Sequence, residues 1–172
     1  MTIKVVWSGS LLALLLSVIF LLPFLPIDAQ RNVSASFLSA NGSDKAVIFF
    51  GFTQCADTCP ATLSVLRALV ANNNKHKSQP QVAFVDINSN SSAQQAQQYA
   101  QQFHASFIGV HPKPEQLAQL TSDFGLNFQQ VNEQIQHKGR TYLLNRVNQQ
   151  WRLVKVFNPD TFDAELLLQE LY

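Results

Sequence analysis

The chain has 172 residues, 47% of them apolar and 13% charged, with a formal net charge of +1. Setting aside an apolar N-terminal stretch leaves roughly 140 residues, enough for one compact domain but not two. The absence of a basic patch excludes a nucleic-acid partner, which needs many Lys and Arg to displace counterions. With only two cysteines, separated by three intervening residues, the chain is not a disulfide-stapled scaffold either.

After Lys4, Val5 to Ile27 run for 23 positions without an ionisable side chain. A helix of that length rises about 34 Å, enough to cross a hydrocarbon core of ~30 Å. Residues 1–29 therefore read as a single-pass membrane anchor. Lys4 and the amino terminus stay inside, so the remainder lies on the periplasmic or extracytoplasmic face of the cytoplasmic membrane. Arg31 on the far side weakens that charge asymmetry. The competing reading is a signal peptide cut after Ala29, against which Ile27 is a poor residue at the minus-three position. Either way the domain reaches an oxidising compartment, where a thiol pair must be kept reduced by other proteins or protected by metal.

Residues 30–45 are polar and rich in Ser, Asn and Gly, a linker with one irregular edge strand at Val33 to Leu38. The domain proper occupies 46–172. Ala46 to Phe52 (AVIFFGF) is a continuous apolar run, as expected for a strand buried on both faces. The spacing of Leu63, Leu66, Leu69 and Val70 predicts a helix with Pro60 in its first turn. Gln81 to Ile87 is a second buried strand, with Asp86 near its end. Ser91 or Ser92 caps a Gln-rich helix over Ala93 to His104. Phe107 to Val110 is a short strand, and Pro112 to Phe124 a helix stopped by Gly125. Phe128 to Ile135 is extended. Thr141 to Val147 and Trp151 to Phe157 form a hairpin through Asn148-Gln149-Gln150. A last helix runs from Pro159 or Asp160 to Leu171, with Phe162, Leu166, Leu167 and Leu171 on its apolar face. The order β-α-β-α-β-α-β-β-α implies an α/β fold, a mixed sheet covered by helices on both faces. It places Cys55 and Cys59 at the carboxyl end of the first central strand, where open α/β sheets put their chemistry.

Amides at a helix N-terminus stabilise a thiolate, so both sulfurs are expected to be more acidic than a free cysteine. Thiolates attack disulfides and also bind soft metals such as Cu(I). The spacing alone leaves both open, since two sulfurs so placed can face one external atom or join each other. With its flanks, Gly51-Phe52-Thr53-Gln54-Cys55-Ala56-Asp57-Thr58-Cys59-Pro60 resembles the Sco/SenC motif G-Y-T-H-C-P-D-V-C-P. Val85-Asp86 is similar to that family's Val-Asp at the end of the second strand. Phe107-Ile108-Gly109 followed by Pro114-Glu115-Gln116-Leu117 resembles its F-I-G-L-x-G-x-P-E-Q segment. His137, five residues before Tyr142-Leu143-Leu144, is similar to its H-S-x-x-x-Y-L-I pattern.

The resemblance covers about residues 46 to 171. It implies a thioredoxin-like fold and one copper ion, Cu(I) or Cu(II), held by Cys55, Cys59 and His137. It also implies a metallochaperone that takes copper from a donor protein and passes it to the binuclear copper site of cytochrome c oxidase subunit II. The chain departs from the pattern in places. Gln54 replaces the usual histidine and Ala56 the usual proline. The linker is too short for the family's N-terminal hairpin, and Asn88, Asn90 and Ser91 soften its acidic segment.

The alternative is a membrane-tethered thiol–disulfide reductase, with Cys55 as the catalytic nucleophile and Cys59 as the resolving thiol. Against it, no proline lies between Pro114 and Pro159, where such reductases place one opposite their thiols. A peroxide or redox sensor shares the thiol pair and has less in its favour. Asp86 either braces its loop or steers a ligand from behind, and Asp57 either does the same or caps the helix. His76 reads as solvated, and His104 and His111 as structural.

Overall fold

The computed structural model describes residues 17, 27–72, 79–131, 134–162 and 164–171. Apart from Ser17 and Ile27, the expected membrane span 5–27 lies outside them, as does His76. Among the described residues no helix is long and apolar enough to cross a membrane.

Strand β1 (Ile27–Asn32) is followed by an irregular segment and then by β2 (Lys45–Gly51). Helix α1 (Thr58–Asn72) leads to β3 (Gln81–Asp86), α2 (Ala93–Phe103), β4 (Ile108–Val110) and α3 (Pro114–Phe124). Then come β5 (Phe128–Val131), β6 (Gln134–His137), β7 (Thr141–Val147) and β8 (Gln150–Phe157). A 3-10 turn at Pro159–Thr161 precedes α4 (Ala164–Leu171). Six strands form one sheet in the order β1-β8-β7-β2-β3-β4, with β2, β3 and β4 parallel and the rest antiparallel. This is the mixed sheet that the element order implied.

Period-two alternation sends each central strand to two cores. From β2, Val47 and Phe49 meet Leu63 and Leu66 of α1, Ala100 of α2 and Leu167 and Leu171 of α4. Ala46, Ile48 and Phe50 face the other way, onto Leu120 and Phe124 of α3, Tyr142 and Ile135. Ala46 to Phe49 have no exposed surface, as the unbroken apolar run required. Each buried aliphatic or aromatic side chain contributes about 1.5–3 kcal/mol, so the two-sided strand anchors the loop that follows it.

Three elements differ from the sequence reading. The edge strand expected at Val33–Leu38 stands instead at Ile27–Asn32, where it pairs with β8. Val33, Ala35 and Leu38 are buried without being a strand. The single extended segment over 128–135 is a small antiparallel hairpin, β5 with β6. The final helix is split, its first residues forming the 3-10 turn.

The β7–β8 turn carries φ 50° at Asn148 and 64° at Gln149, the left-handed pair that a two-residue hairpin turn requires. Beside it Arg146 ties the hairpin to the segment before β2. Its Nε donates to Asp44 Oδ1 (2.7 Å), its terminal nitrogens reach the carbonyls of Ser39 and Gly42, and it lies over the Trp151 ring.

Candidate metal centre

Strand β2 ends at Gly51, and the chain turns through Phe52–Asp57 into α1. Cys55 N–H closes the turn on Phe52 O (3.1 Å), and the Asp57 carbonyl accepts Ala61 N–H to start the helical ladder. Cys59 sits in the first turn of α1, with its own N–H directed at Cys55 Sγ (3.4 Å). Both are free thiols. Cys55 is half-buried, whereas Cys59 is 0% exposed. Gly51 makes that depth possible, because a Cβ there would lie 2.7 Å from Cys59 Sγ and 3.0 Å from the Phe49 and Phe84 rings.

The third donor arrives from the β5–β6 hairpin. Phe128 and His137 are cross-strand partners, so β5 fixes where the last residue of β6 stands. The His137 ring packs edge-on against Phe52, with centroids 5.6 Å apart. Its Nε2 lies 4.0 Å from Cys59 Sγ. On the other side Gly139 N–H donates to Nδ1 (2.8 Å). A nitrogen that accepts cannot carry the proton, so the neutral ring holds its hydrogen on Nε2, facing the sulfur. Gly139 has φ 54°, and a Cβ there would meet Thr58 Cγ2 at 2.8 Å. Only glycine lets the chain return so close to α1.

The ligand atoms of Cys55, Cys59 and His137 all lie within 4.8 Å of one another. A point central to such a triangle is within roughly 2.8 Å of each donor, a few tenths of an ångström beyond a ~2.3 Å metal–thiolate bond. Small side-chain movements close that gap. Two sulfurs and an imidazole form a soft, low-coordinate set suited to a thiophilic ion and ill-suited to Mg²⁺ or Ca²⁺.

Burial pushes the Cys59 thiol up, and the neighbouring Cys55 thiol adds to the effect. The expectation that both sulfurs would be unusually acidic is thus corrected for Cys59. Desolvation against Phe49, Leu63 and Phe84 outweighs the helix N-terminus. Burial holds the His137 imidazole below its ordinary value, so the ring is neutral near pH 7.

Asp86 pairs in register with Gly51 at the end of β3. It is wholly buried, and its Oδ1 accepts Asn88 N–H (3.0 Å), so it braces the loop after β3. Burial raises its pKa above the usual 3.8, with the Asn88 N–H pulling the other way. The folded protein therefore holds this proton more tightly than the unfolded chain does. The stability it contributes is complete below the unfolded value and is lost as pH rises through the folded one. Asp86→Asn is expected to flatten that fall, seen as a smaller change in urea midpoint from about pH 4 to about pH 8. A slope identical to that of the parent protein would exclude Asp86 as its source.

Asp57 stands at the start of α1 with an exposed side chain. His104 ends α2, its Nδ1 2.8 Å from Ser106 Oγ, and takes no part in the centre. Sequence reasoning missed Phe52 as the wall against the imidazole and Gly139 as its partner. The second was visible as a glycine two residues past the histidine. A cleft of about 980 Å³ beside Arg146 and Asp44 lies at the opposite end of β2 and β7, and Arg146 there is already engaged by its own chain.

The SCO1/SenC family profile matches residues 33–171. A SCO2-like protein of Rickettsia conorii is 28% identical over 130 residues, an alignment covering 71% of this chain and 62% of that protein. The chain thus spans less than two thirds of that relative. Among solved structures, apo Sco1 from Thermus thermophilus superposes with a TM-score of 0.65 at 26% identity, covering 86% of this chain and 91% of the other. Arabidopsis thaliana ScoI, solved with copper bound, gives 0.65 at 21% identity over 75% and 82% of the two chains, which shows a shared fold.

Proposed function

The chain belongs to the SCO1/SenC family, and from that premise we propose that it is a copper-binding metallochaperone. The convergence of Cys55, Cys59 and His137 donor atoms within 4.8 Å carries this reading. Copper bound to the fold relative from Arabidopsis supports it. Copper is the cargo. It would be taken up with loss of the two thiol protons, and given to an acceptor by stepwise exchange of one thiolate for another. We further propose that the acceptor is the binuclear copper site of cytochrome c oxidase subunit II. In this reading a donor protein supplies the metal, and the apolar segment that precedes β1 holds the domain on the extracytoplasmic face of the membrane near its client.

The full chain in detergent, reduced and titrated with Cu(I) against a chromophoric chelator, tests the reading. One-to-one binding is expected. Structural zinc sites are worth roughly 10–16 kcal/mol over four ligands, about 3 kcal/mol each, so His137→Ala should weaken binding about a hundredfold. Affinity that is weak and indifferent to His137 would end the proposal.

One observation favours a second activity. The more exposed Cys55 sulfur receives the Cys59 N–H, while Cys59 is buried behind it, as a nucleophile and its resolving partner would be. A thiol–disulfide reductase predicts turnover of a disulfide substrate that persists in His137→Ala.

A further inference from the structure

We infer that Asn88 is a positioning residue for His137, its buried side-chain amide bridging the Cys55 loop to the hairpin that carries the imidazole. Asn88 is 3% exposed. Its Nδ2 donates to Gln54 Oε1 (2.9 Å), one residue before Cys55. Its Oδ1 accepts from Gln130 Nε2 (3.3 Å) on β5 and from Asn90 N–H (3.0 Å). The bridge is anchored from below, where Asn88 N–H donates to the buried Asp86 carboxyl (3.0 Å). It is held from the side as well, since Ser89 Oγ donates to Gln130 Oε1 (3.2 Å).

The chemistry of the bridge is specific. One group must donate towards Gln54 and accept from Gln130 at the same time, which a carboxamide does and an aliphatic side chain cannot. Gln130 pairs with Ile135, and two rungs along the same ladder Phe128 pairs with His137. A shift of β5 away from the cysteine loop therefore carries the imidazole with it. The hairpin is a separate two-stranded sheet, and two strands alone hold their register weakly. The amide bridge is a polar tie from that hairpin to the Cys55 loop. Outer partners of this kind, which orient a ligand without touching the metal, govern affinity through geometry.

This inference rests on the metallochaperone reading for its meaning, but its test does not. The full chain in detergent is compared with Asn88→Ala and Gln130→Ala. With Cu(I) as probe, each variant is expected to bind roughly tenfold more weakly. In a His137→Ala background neither change should weaken binding further. Without metal, amide exchange across 134–137 should quicken in both variants while that of 46–51 is unchanged. If Asn88→Ala speeds exchange in both regions because the buried site loosens the whole fold, Gln130→Ala, which is only half-buried, decides. Parental affinity and parental exchange in Gln130→Ala, or equal losses with and without His137, would overturn the inference. If the parent chain fails to bind Cu(I), the metallochaperone reading falls, and exchange at 134–137 still decides the bridge.

Discussion

Replacing Gly109 with alanine is expected to lower the melting temperature by roughly 6–12 °C, the shift that about 3 kcal/mol produces in a chain of this size. Gly109 lies on β4, where α2 crosses the strand backbone to backbone. A Cβ at 109 would fall inside the envelope of the Ala96 carbonyl and the Gln97 Cα, neither of which can rotate aside. The Gln97 side chain ties the same contact, accepting Gly109 N–H (2.8 Å) and donating to Phe107 O (3.3 Å). To admit a methyl group α2 must lift off the sheet, breaking those bonds and opening the core around Ala100 and Phe84. Thermal unfolding of the full chain followed by circular dichroism reads the shift. A change below about 2 °C would mean that α2 can move away at little cost.

Cys59→Ser should lower Cu(I) affinity roughly a thousandfold, from loss of one soft ligand worth about 4 kcal/mol. Serine keeps the shape of the side chain but offers a hard oxygen that retains its proton. A second consequence separates ligation from packing. Cys59 is wholly buried among Phe49, Leu63 and Phe84, so the new hydroxyl should also cost about 1–3 kcal/mol of stability. Cys55→Ser, at a half-buried position, is expected to match the affinity loss while leaving the urea midpoint nearly unchanged. Comparable affinities for both variants and the parent would remove the sulfurs from the site.

The two-sided core was legible because β2 and β3 are unbroken apolar runs, and such runs have few other places to go. The cysteine pair was equally plain, since its members are sequence neighbours after the first of those strands. His137 was not readable from physical pattern. A lone histidine in a Gln-rich stretch carries no signal, and only the motif resemblance through Tyr142-Leu143-Leu144 picked it out. Its hairpin was hidden for a related reason. Phe128 to His137 contains no glycine or proline to separate one strand from the next. The acidity expected of Cys59 failed because helix position is local, whereas its depth depends on Gly51 and on rings from two strands. Strand β1 escaped notice because its first residue, Ile27, also fits the end of an apolar span, and its partner β8 lies more than a hundred residues away.

The hydrogen bond from Gly139 to His137 Nδ1 has a consequence for how the site would fill. To bind an ion through Nε2, the ring must surrender the hydrogen it holds there and take one on Nδ1. Two donors would then point at each other across 2.8 Å, so the Lys138–Gly139 backbone has to swing aside before a bond can form. Loading is therefore a conformational event as well as a coordination event. What must give way is the short stretch of backbone just past the imidazole, where Gly139 holds a left-handed φ of 54°.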